Sequence, residues 1–360
     1  MTDQVIGTLA HVSDHRVAAA EALADGLGSF DRSRPIVVLS HFDADGLSAA
    51  AILLRALERA DWLAVPLVVG KGETPWDSDM AARIGALKPG GLILADLGTR
   101  LEAVLPGCPT IVIDHHVPTG EPQGATTISG NGLSPEPTTA LLAWWAAGSL
   151  GEQDDLLWLA GIGLIGDMAE EGGFCELAEA QRRWGKTALR DAVSLINAPR
   201  RTAAADAGPA LRLLLGANGP KEITKGQDAD ALALRAAKAE VRAAMDQAKR
   251  VAPLVVGDVA LIQLDSVCQI HPLIAQQWRG RLRDKIVIAA NRGYRPGWVH
   301  FAARSATGRN LIDFLAEHRP PNADGRYGNG HAQATGGALQ TADWDGFVAG
   351  LGIPQAQVSA

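Results

Sequence analysis

Ile36-Val37-Val38-Leu39-Ser40-His41-Phe42-Asp43-Ala44-Asp45-Gly46 is the stretch on which the fold of this chain turns. Four aliphatic residues run without a polar break, which predicts a strand buried on both faces. An imidazole and two carboxylates then arrive within five positions, and the small-residue segment Gly46–Arg59 follows at helical spacing. The order is strand, acid-bearing loop, helix.

The same unit recurs on either side. Upstream, the segment to Gly28 alternates Ala and Leu with polar residues and predicts an amphipathic helix. Downstream, Trp62–Gly70 is strand-like and Ser78–Leu87 helical. Gly91–Ala95 predicts a strand ending on Asp96, and Thr110–Ile113 one ending on Asp114. Short apolar strands alternating with helices imply an α/β fold with a mostly parallel sheet covered on both faces. In such sheets ligands bind beyond the carboxyl ends of the strands. Thr138–Ala147 then predicts a helix, with Pro137 and the two threonines suited to its start. The apolar run Leu156–Ile165 closes on Gly166-Asp167 and is grouped with the strand ends.

Residues 177–216 are helical, and Arg182, Arg183, Arg190, Arg200 and Arg201 read mainly as a solvated face. Asp228–Arg250 is Ala-rich, with charges at helical spacing and no Gly or Pro, and predicts one long exposed connecting helix before Pro253. Beyond it, Leu254–Val256, Val259–Leu264, Ile286–Ala290 and Trp298–Ala303 are strand-like, with helices around Pro272–Leu282 and Asn310–Glu317. The expected organisation is a catalytic domain over 1–200, a helical connector over 201–250, a smaller α/β domain over 251–345 and a tail over 346–360.

Composition bounds the function. The 360 residues are 47% apolar and 20% charged, the balance of a globular protein with a buried core. The net charge of -7 does not advertise a general nucleic-acid binder. Residues 1–250 carry 23 Lys and Arg against 32 Asp and Glu, whereas 251–360 carry 10 against 8, so the acidity sits with the candidate site. A bound divalent cation reverses the field of such a site and reconciles it with an anionic substrate. Cys108, Cys175 and Cys268 form no CxxC pair and suggest neither a disulfide framework nor zinc. No apolar stretch is long enough to span a bilayer, and the N-terminus lacks a signal pattern, which points to the cytoplasm.

Four apolar runs thus end on acids or imidazoles: His41, Asp43 and Asp45; Asp96; Asp114, His115 and His116; and Asp167. One such residue has a commonplace explanation in turn chemistry. Four groups on one sheet edge do not, because gathered carboxylates repel and call for a cation. Carboxylates mixed with imidazole and no thiolate suit manganese or a similar ion.

In order and spacing, HFDADG, LADLG, IDHH and GLIGD resemble the four motifs of the DHH phosphoesterases, which take their name from the triplet Asp114-His115-His116. The resemblance extends to the associated DHHA1 substrate domain. Gly328-Asn329-Gly330-His331-Ala332-Gln333-Ala334-Thr335-Gly336 is similar to its glycine-rich GGGHxxAAG motif, and Val299–Ser305 to its strand with an Arg-Ser pair. Ile270–Ala275, with His271, resembles the RecJ-type exonucleases in particular. Two departures are His41, where those enzymes usually carry Asp, and Asn329, where the motif has Gly.

The resemblance implies two divalent ions, manganese first and magnesium second. Asp96 would bridge them, Asp43 and His41 would hold one, and Asp45, His115 and Asp167 the other. Asp114 would orient His115, and His116 would face the phosphate. Two such ions about 4 Å apart can generate a hydroxide near neutral pH. Arg304, Ser305, Gly330, His331 and His271 would hold the terminal nucleotide. The implied activity is hydrolysis of single-stranded DNA or short RNA or DNA oligonucleotides from an end. Alternatives are a cyclic dinucleotide or phosphoadenosine phosphate hydrolase, a pyrophosphatase or polyphosphatase, or a non-catalytic scaffold. The residues after 340 leave no room for an extra oligonucleotide-binding domain, which favours short substrates or a partner protein that supplies further grip, in a monomer or an oligomer.

Overall fold

The computed structural model describes residues 2–323, 327–328 and 330–358, with side chains from residue 14 onward. Asn329 lies outside the described residues. The chain forms two compact units, one of residues 1–200 and 205–236, the other of 201–204 and 237–360.

The first unit begins with α1 (Thr2–Leu27), β1 (Ile36–Ser40), α2 (Ala44–Arg59), β2 (Ala64–Val68), α3 (Ser78–Ala86), β3 (Gly91–Ala95), β4 (Thr110–Asp114) and β5 (Thr126–Ser129). The strands form one sheet in the order β2-β1-β3-β4-β5, with every pair parallel. Because β1 is apolar at every position but its last, it feeds two cores. Ile36 and Val38 pack with Ile93, Ile111 and the helices on one side. Val37 and Leu39 pack with Leu92, Leu94 and residues Met80 and Ile84 of α3 on the other. The register aligns Ser40 with Ala95 and Ala95 with Ile113, so the residues that follow β1, β3 and β4 emerge side by side. The edge strand β5 was not legible, since its four residues Thr-Thr-Ile-Ser carry one apolar side chain.

Helices continue with α4 (Thr139–Ala147), α5 (Leu157–Gly166), α6 (Cys175–Trp184), α7 (Lys186–Ile196), α8 (Gly208–Gly216) and α9 (Pro220–Lys225). The run before Asp167 is therefore a helix and not a strand, which corrects the grouping made from sequence. An apolar run buried almost throughout shows no amphipathic period, and Leu and Gly outnumber β-branched residues in it. Gly163 shows why glycine recurs there: a Cβ would collide with Asp45 Oδ1 and lie 2.5 Å from Ala140 Cβ.

The segment 201–250 divides between the two units inside α10 (Ala229–Ala248), whose start is capped by Asp228 accepting from the Ala231 amide. This helix is amphipathic, burying Ala231, Leu234, Val241 and Ala248. The second unit contains β6 (Leu254–Val256), β7 (Val259–Leu264), α11 (His271–Arg279), β8 (Ile286–Arg295), β9 (Trp298–Ser305), α12 (Leu311–Glu317), β10 (Gly330–His331), β11 (Ala334–Gln340) and α13 (Thr341–Gly350). Its sheet runs β10-β11-β9-β8-β7-β6, with only β7 and β8 parallel. Residues 346–360, expected as a tail, place Phe347, Val348, Ile353 and Ala356 in this unit's core. No helix among the described residues is long and apolar enough to cross a membrane.

Candidate metal centre

The carboxyl edge of the parallel sheet carries the acids. His41 follows β1, and its amide donates to Ala95 O at 3.2 Å, tying the first motif to the end of β3. Asp43 caps α2 by accepting from the Gly46 amide at 3.1 Å. Only glycine fits at position 46, where a Cβ would lie 2.7 Å from His41 O. Asp96 has a left-handed backbone (φ 65°), a conformation that carboxamide and carboxylate residues tolerate better than most.

Two donor sets, His41-Asp43-Asp96 and Asp45-His115-Asp167, are joined by a third, Asp96-His115-His116, that overlaps both; within each, the ligand atoms lie within 4.8 Å of one another. They meet where His115 Nε2 stands 3.6 Å from Asp96 Oδ1 and 3.2 Å from Asp167 Oδ2. On the other side of Asp96, His41 Nδ1 lies 3.5 Å from Oδ2 and 3.0 Å from Asp43 Oδ2. His116 approaches the same carboxylate, with Nδ1 3.8 Å from Asp96 Oδ1.

This arrangement is electrostatically unsatisfied as it stands. Burial, followed by Asp96 and Asp167, pushes Asp45 well above the usual carboxylate range. Burial also raises Asp96 to about 6, with Asp43 and Asp167 adding and His41 opposing. Burial works against charge on His41 and His115, yet the surrounding carboxylates outweigh it and raise both to about 10. Despite its acidic neighbours, His115 Nε2 is buried and makes no hydrogen bond of acceptable geometry. An imidazole nitrogen aimed between carboxylates without bonding either is what a metal ligand looks like, and the donor chemistry fits manganese or magnesium.

The roles of Asp114, His115 and His116 differ from expectation in one respect. Asp114 Oδ1 pairs with His116 Nδ1 at 2.9 Å and accepts the His116 amide at 2.7 Å, so Asp114 orients His116 and not His115. Its other oxygen accepts the Gly98 amide at 2.6 Å. The near neighbour of His115 Nδ1 is instead Glu136 Oε1, at 3.5 Å. Held by Asp114, the His116 ring rises above its ordinary pKa and stays about half exposed.

Four further residues support the site and had little signal in the sequence. The amides of Thr139 and Ala140, at the start of α4, donate to the two oxygens of Asp45 at 2.8 and 2.9 Å. Thr139 Oγ1 donates to Asp96 Oδ1 at 3.0 Å. Asn197 Oδ1 accepts the Ala44 amide at 3.0 Å. Arg200 Nη1 pairs with Asp43 Oδ2 at 3.0 Å, while its buried Nε has no hydrogen-bond partner. Arg200 was read as one of a solvated row, because charge alone does not separate it from Arg182 and Arg190, which pair with Glu179 and Glu170.

In the second unit, His331 stands opposite Ala334, and Ala334 opposite Arg304, on adjacent antiparallel strands. Directly opposed residues share a face, so Arg304 and His331 lie on one face two strands apart. Arg304 Nη1 donates to Ala303 O and Thr335 O at 2.9 and 3.1 Å. Gly330 has φ 135°, and a Cβ there would lie 2.5 Å from Ala334 O. Ser305 departs from the expected ligand role: it is fully buried, and its hydroxyl shapes the following turn with Thr307 at 2.8 Å. His271 is also buried, its ring 5.9 Å from Tyr294 and 6.1 Å from His300. Burial, then His300, Arg201 and Arg304, lower it to about 3 and keep it neutral.

No family model matches the sequence, and no curated protein matches it. Among solved structures, the chain is similar to an exonuclease RecJ bound to manganese, with 20% identity over 95% of this chain and 97% of that one and a TM-score of 0.63. It is similar to RecJ from Thermus thermophilus in complex with Mn2+, with 22% identity over 92% of this chain, a TM-score of 0.63 and coverage of 53% of that chain, about half its length. The DHH domain of a protein assigned to a ribosomal-protein family is similar at 15% identity and a TM-score of 0.66, over 95% of this chain and 91% of that one. The chain therefore has the fold of the DHH proteins, with its HFDADG, LADLG, IDHH and GLIGD segments gathered around one cluster of acids and imidazoles.

Proposed function

We propose that this chain is a divalent-metal-dependent phosphodiesterase that hydrolyses single-stranded nucleic acid or short oligonucleotides from an end. The observation that carries this reading is the pair of donor sets meeting at Asp96, His41-Asp43-Asp96 and Asp45-His115-Asp167. Bound divalent ions would supply Lewis-acid activation of water and of the reacting phosphate. The intact donor set favours an enzyme over a non-catalytic scaffold.

The residues beside the donors divide the remaining work. His116, fixed through Nδ1 by Asp114, keeps Nε2 available to a phosphate or leaving-group oxygen. Arg200 offers a cation next to Asp43, where a guanidinium can share charge with a phosphate. Arg304, His331 and the Gly330 backbone suit a second phosphate contact, which favours a nucleotide over pyrophosphate. The acidic balance of residues 1–250 favours short substrates over the long basic track of a processive enzyme.

A panel of single-stranded DNA, short RNA, cyclic dinucleotide, phosphoadenosine phosphate and pyrophosphate, each with manganese, tests the reading. Hydrolysis of the linear oligonucleotides that Asp96→Ala abolishes is the expected result. Turnover of pyrophosphate alone, or full activity in Asp96→Ala, would overturn it.

A further inference from the structure

Between Lys88 and Arg182 the chain contains a single Lys or Arg, Arg100, amid thirteen acids that include Asp96, Asp114 and Asp167. An isolated cation in such a stretch is expected to pair with a carboxylate. Arg100 does not. Its guanidinium makes no ion pair or hydrogen bond among the described residues and lies over the Trp76 ring, 4.2 Å from the centroid. The ring is itself held in place, because Trp76 Nε1 donates to Glu102 O at 2.8 Å. Glu102 belongs to the same loop as Arg100, so indole and loop fix one another.

The position of this stack is informative. Trp76 sits in the loop that leaves the carboxyl end of β2, and Arg100 in the loop that leaves β3. Both therefore stand on the sheet edge that carries the metal ligands. Arg100 is four residues from Asp96, within about 14 Å along an extended chain. Its loop also joins the one after His116, through the Thr119 amide donating to Thr99 O at 2.9 Å. Of the other arginines that cover tryptophans in the first unit, Arg32 and Arg183 direct a nitrogen to a backbone carbonyl, as Arg100 does not. Arg16, over Trp144 and likewise without a hydrogen bond among the described residues, belongs to α1 and not to a loop that follows a strand. A stacked guanidinium keeps its in-plane N–H fork free for a phosphate, and the ring limits the freedom it must give up on binding.

We propose that Arg100, seated on Trp76, is a phosphate subsite of the first unit that takes the phosphodiester next to the one being cleaved. This rests on the phosphodiesterase reading above and adds a requirement for substrate length. A dinucleotide with one phosphodiester has nothing to place there, whereas a trinucleotide does.

The test compares the manganese-loaded wild-type chain with Arg100→Ala and Arg100→Lys on a dinucleotide and a trinucleotide of the same bases. Arg100→Ala is expected to raise KM for the trinucleotide about three- to fivefold relative to the dinucleotide, the scale of an exposed ion pair. It should also make the trinucleotide KM less salt-dependent. Arg100→Lys, which keeps the charge without the planar fork, should fall between. Equal effects on both substrates, or a changed manganese stoichiometry, would show that the stack only braces the loops and would overturn the subsite. If the wild type cleaves neither substrate, the phosphodiesterase reading itself fails, an outcome separate from a wild type that cleaves both and an Arg100→Ala that behaves identically.

Discussion

Replacing Asp96 by Asn should make the metal-free protein more stable while removing its response to metal. Asp96 is buried at 4% exposure, and its carboxyl is raised from 3.8 to about 6 by burial and by Asp43 and Asp167. A group whose folded pKa lies above its unfolded one binds protons more tightly when folded. Stability is then greatest below about 3.8 and falls as pH rises through about 6, leaving a constant penalty above. That difference of about 2 units corresponds to roughly 3 kcal/mol at pH 7.5. Asn preserves the shape, accepts from Thr139 Oγ1 and tolerates the left-handed backbone (φ 65°). It forfeits part of the pull on His41 and His115, so a net gain of about 1–2 kcal/mol is expected, about 2–8 °C in Tm for a unit of this size. The assay is thermal unfolding in chelator and in manganese. Wild type should gain Tm on adding manganese and Asp96→Asn little or none. An Asn variant less stable than wild type in chelator, or one that manganese stabilises equally, would refute the account of Asp96 as a strained carboxylate awaiting cations.

Other outcomes follow from the same geometry. With His41 and His115 held near 10 by their carboxylates, manganese binding at pH 7 should release protons and tighten as pH rises; calorimetry in buffers of different ionisation enthalpy measures this, and zero release would contradict it. Gly163→Ala should destabilise by about 2 kcal/mol or more, against the gain of about 1 kcal/mol usual for a helix, because its Cβ would meet Asp45 and Ala140; chemical denaturation decides the sign. Arg200→Ala should lower kcat/KM about tenfold or more on any phosphodiester, a charge-assisted contact being worth about 1.5–3 kcal/mol. Arg304→Ala and His331→Ala should weaken oligonucleotide turnover while leaving the manganese-induced rise in Tm intact.

How much of this was legible follows from which interactions are local. β1, β3 and β4 announced themselves because a strand buried on both faces must be apolar along its length, and the acids were legible because they directly follow those runs. Asp167 was assigned to the right cluster through the wrong element: an apolar run buried almost throughout does not tell helix from strand, and the deciding contacts of Gly163 are with α2 and α4. Thr139 and Arg200 were illegible for a further reason. They act on Asp45, Asp96 and Asp43 across 43 to 157 residues of chain, and nothing in a Pro-Thr-Thr helix start or an Arg-Arg pair marks that reach. Thr139 also shows how fold and site constrain each other. The first amides of α4 are orphan donors at the end of a fully buried helix and need an acceptor. Asp45 supplies both of its oxygens, and the same backbone contacts hold it beside His115 and Asp167. Thr139→Val keeps those amides but removes the hydroxyl on Asp96. If the helix start positions Asp45 and the hydroxyl positions Asp96, Thr139→Val should retain the fold and weaken manganese binding about three- to tenfold, the cost of one hydrogen bond of about 0.5–1.5 kcal/mol. Thr139→Ser should restore it. A Val variant with undiminished metal affinity, or a Ser variant as weak as Val, would leave Asp96 held by its backbone alone.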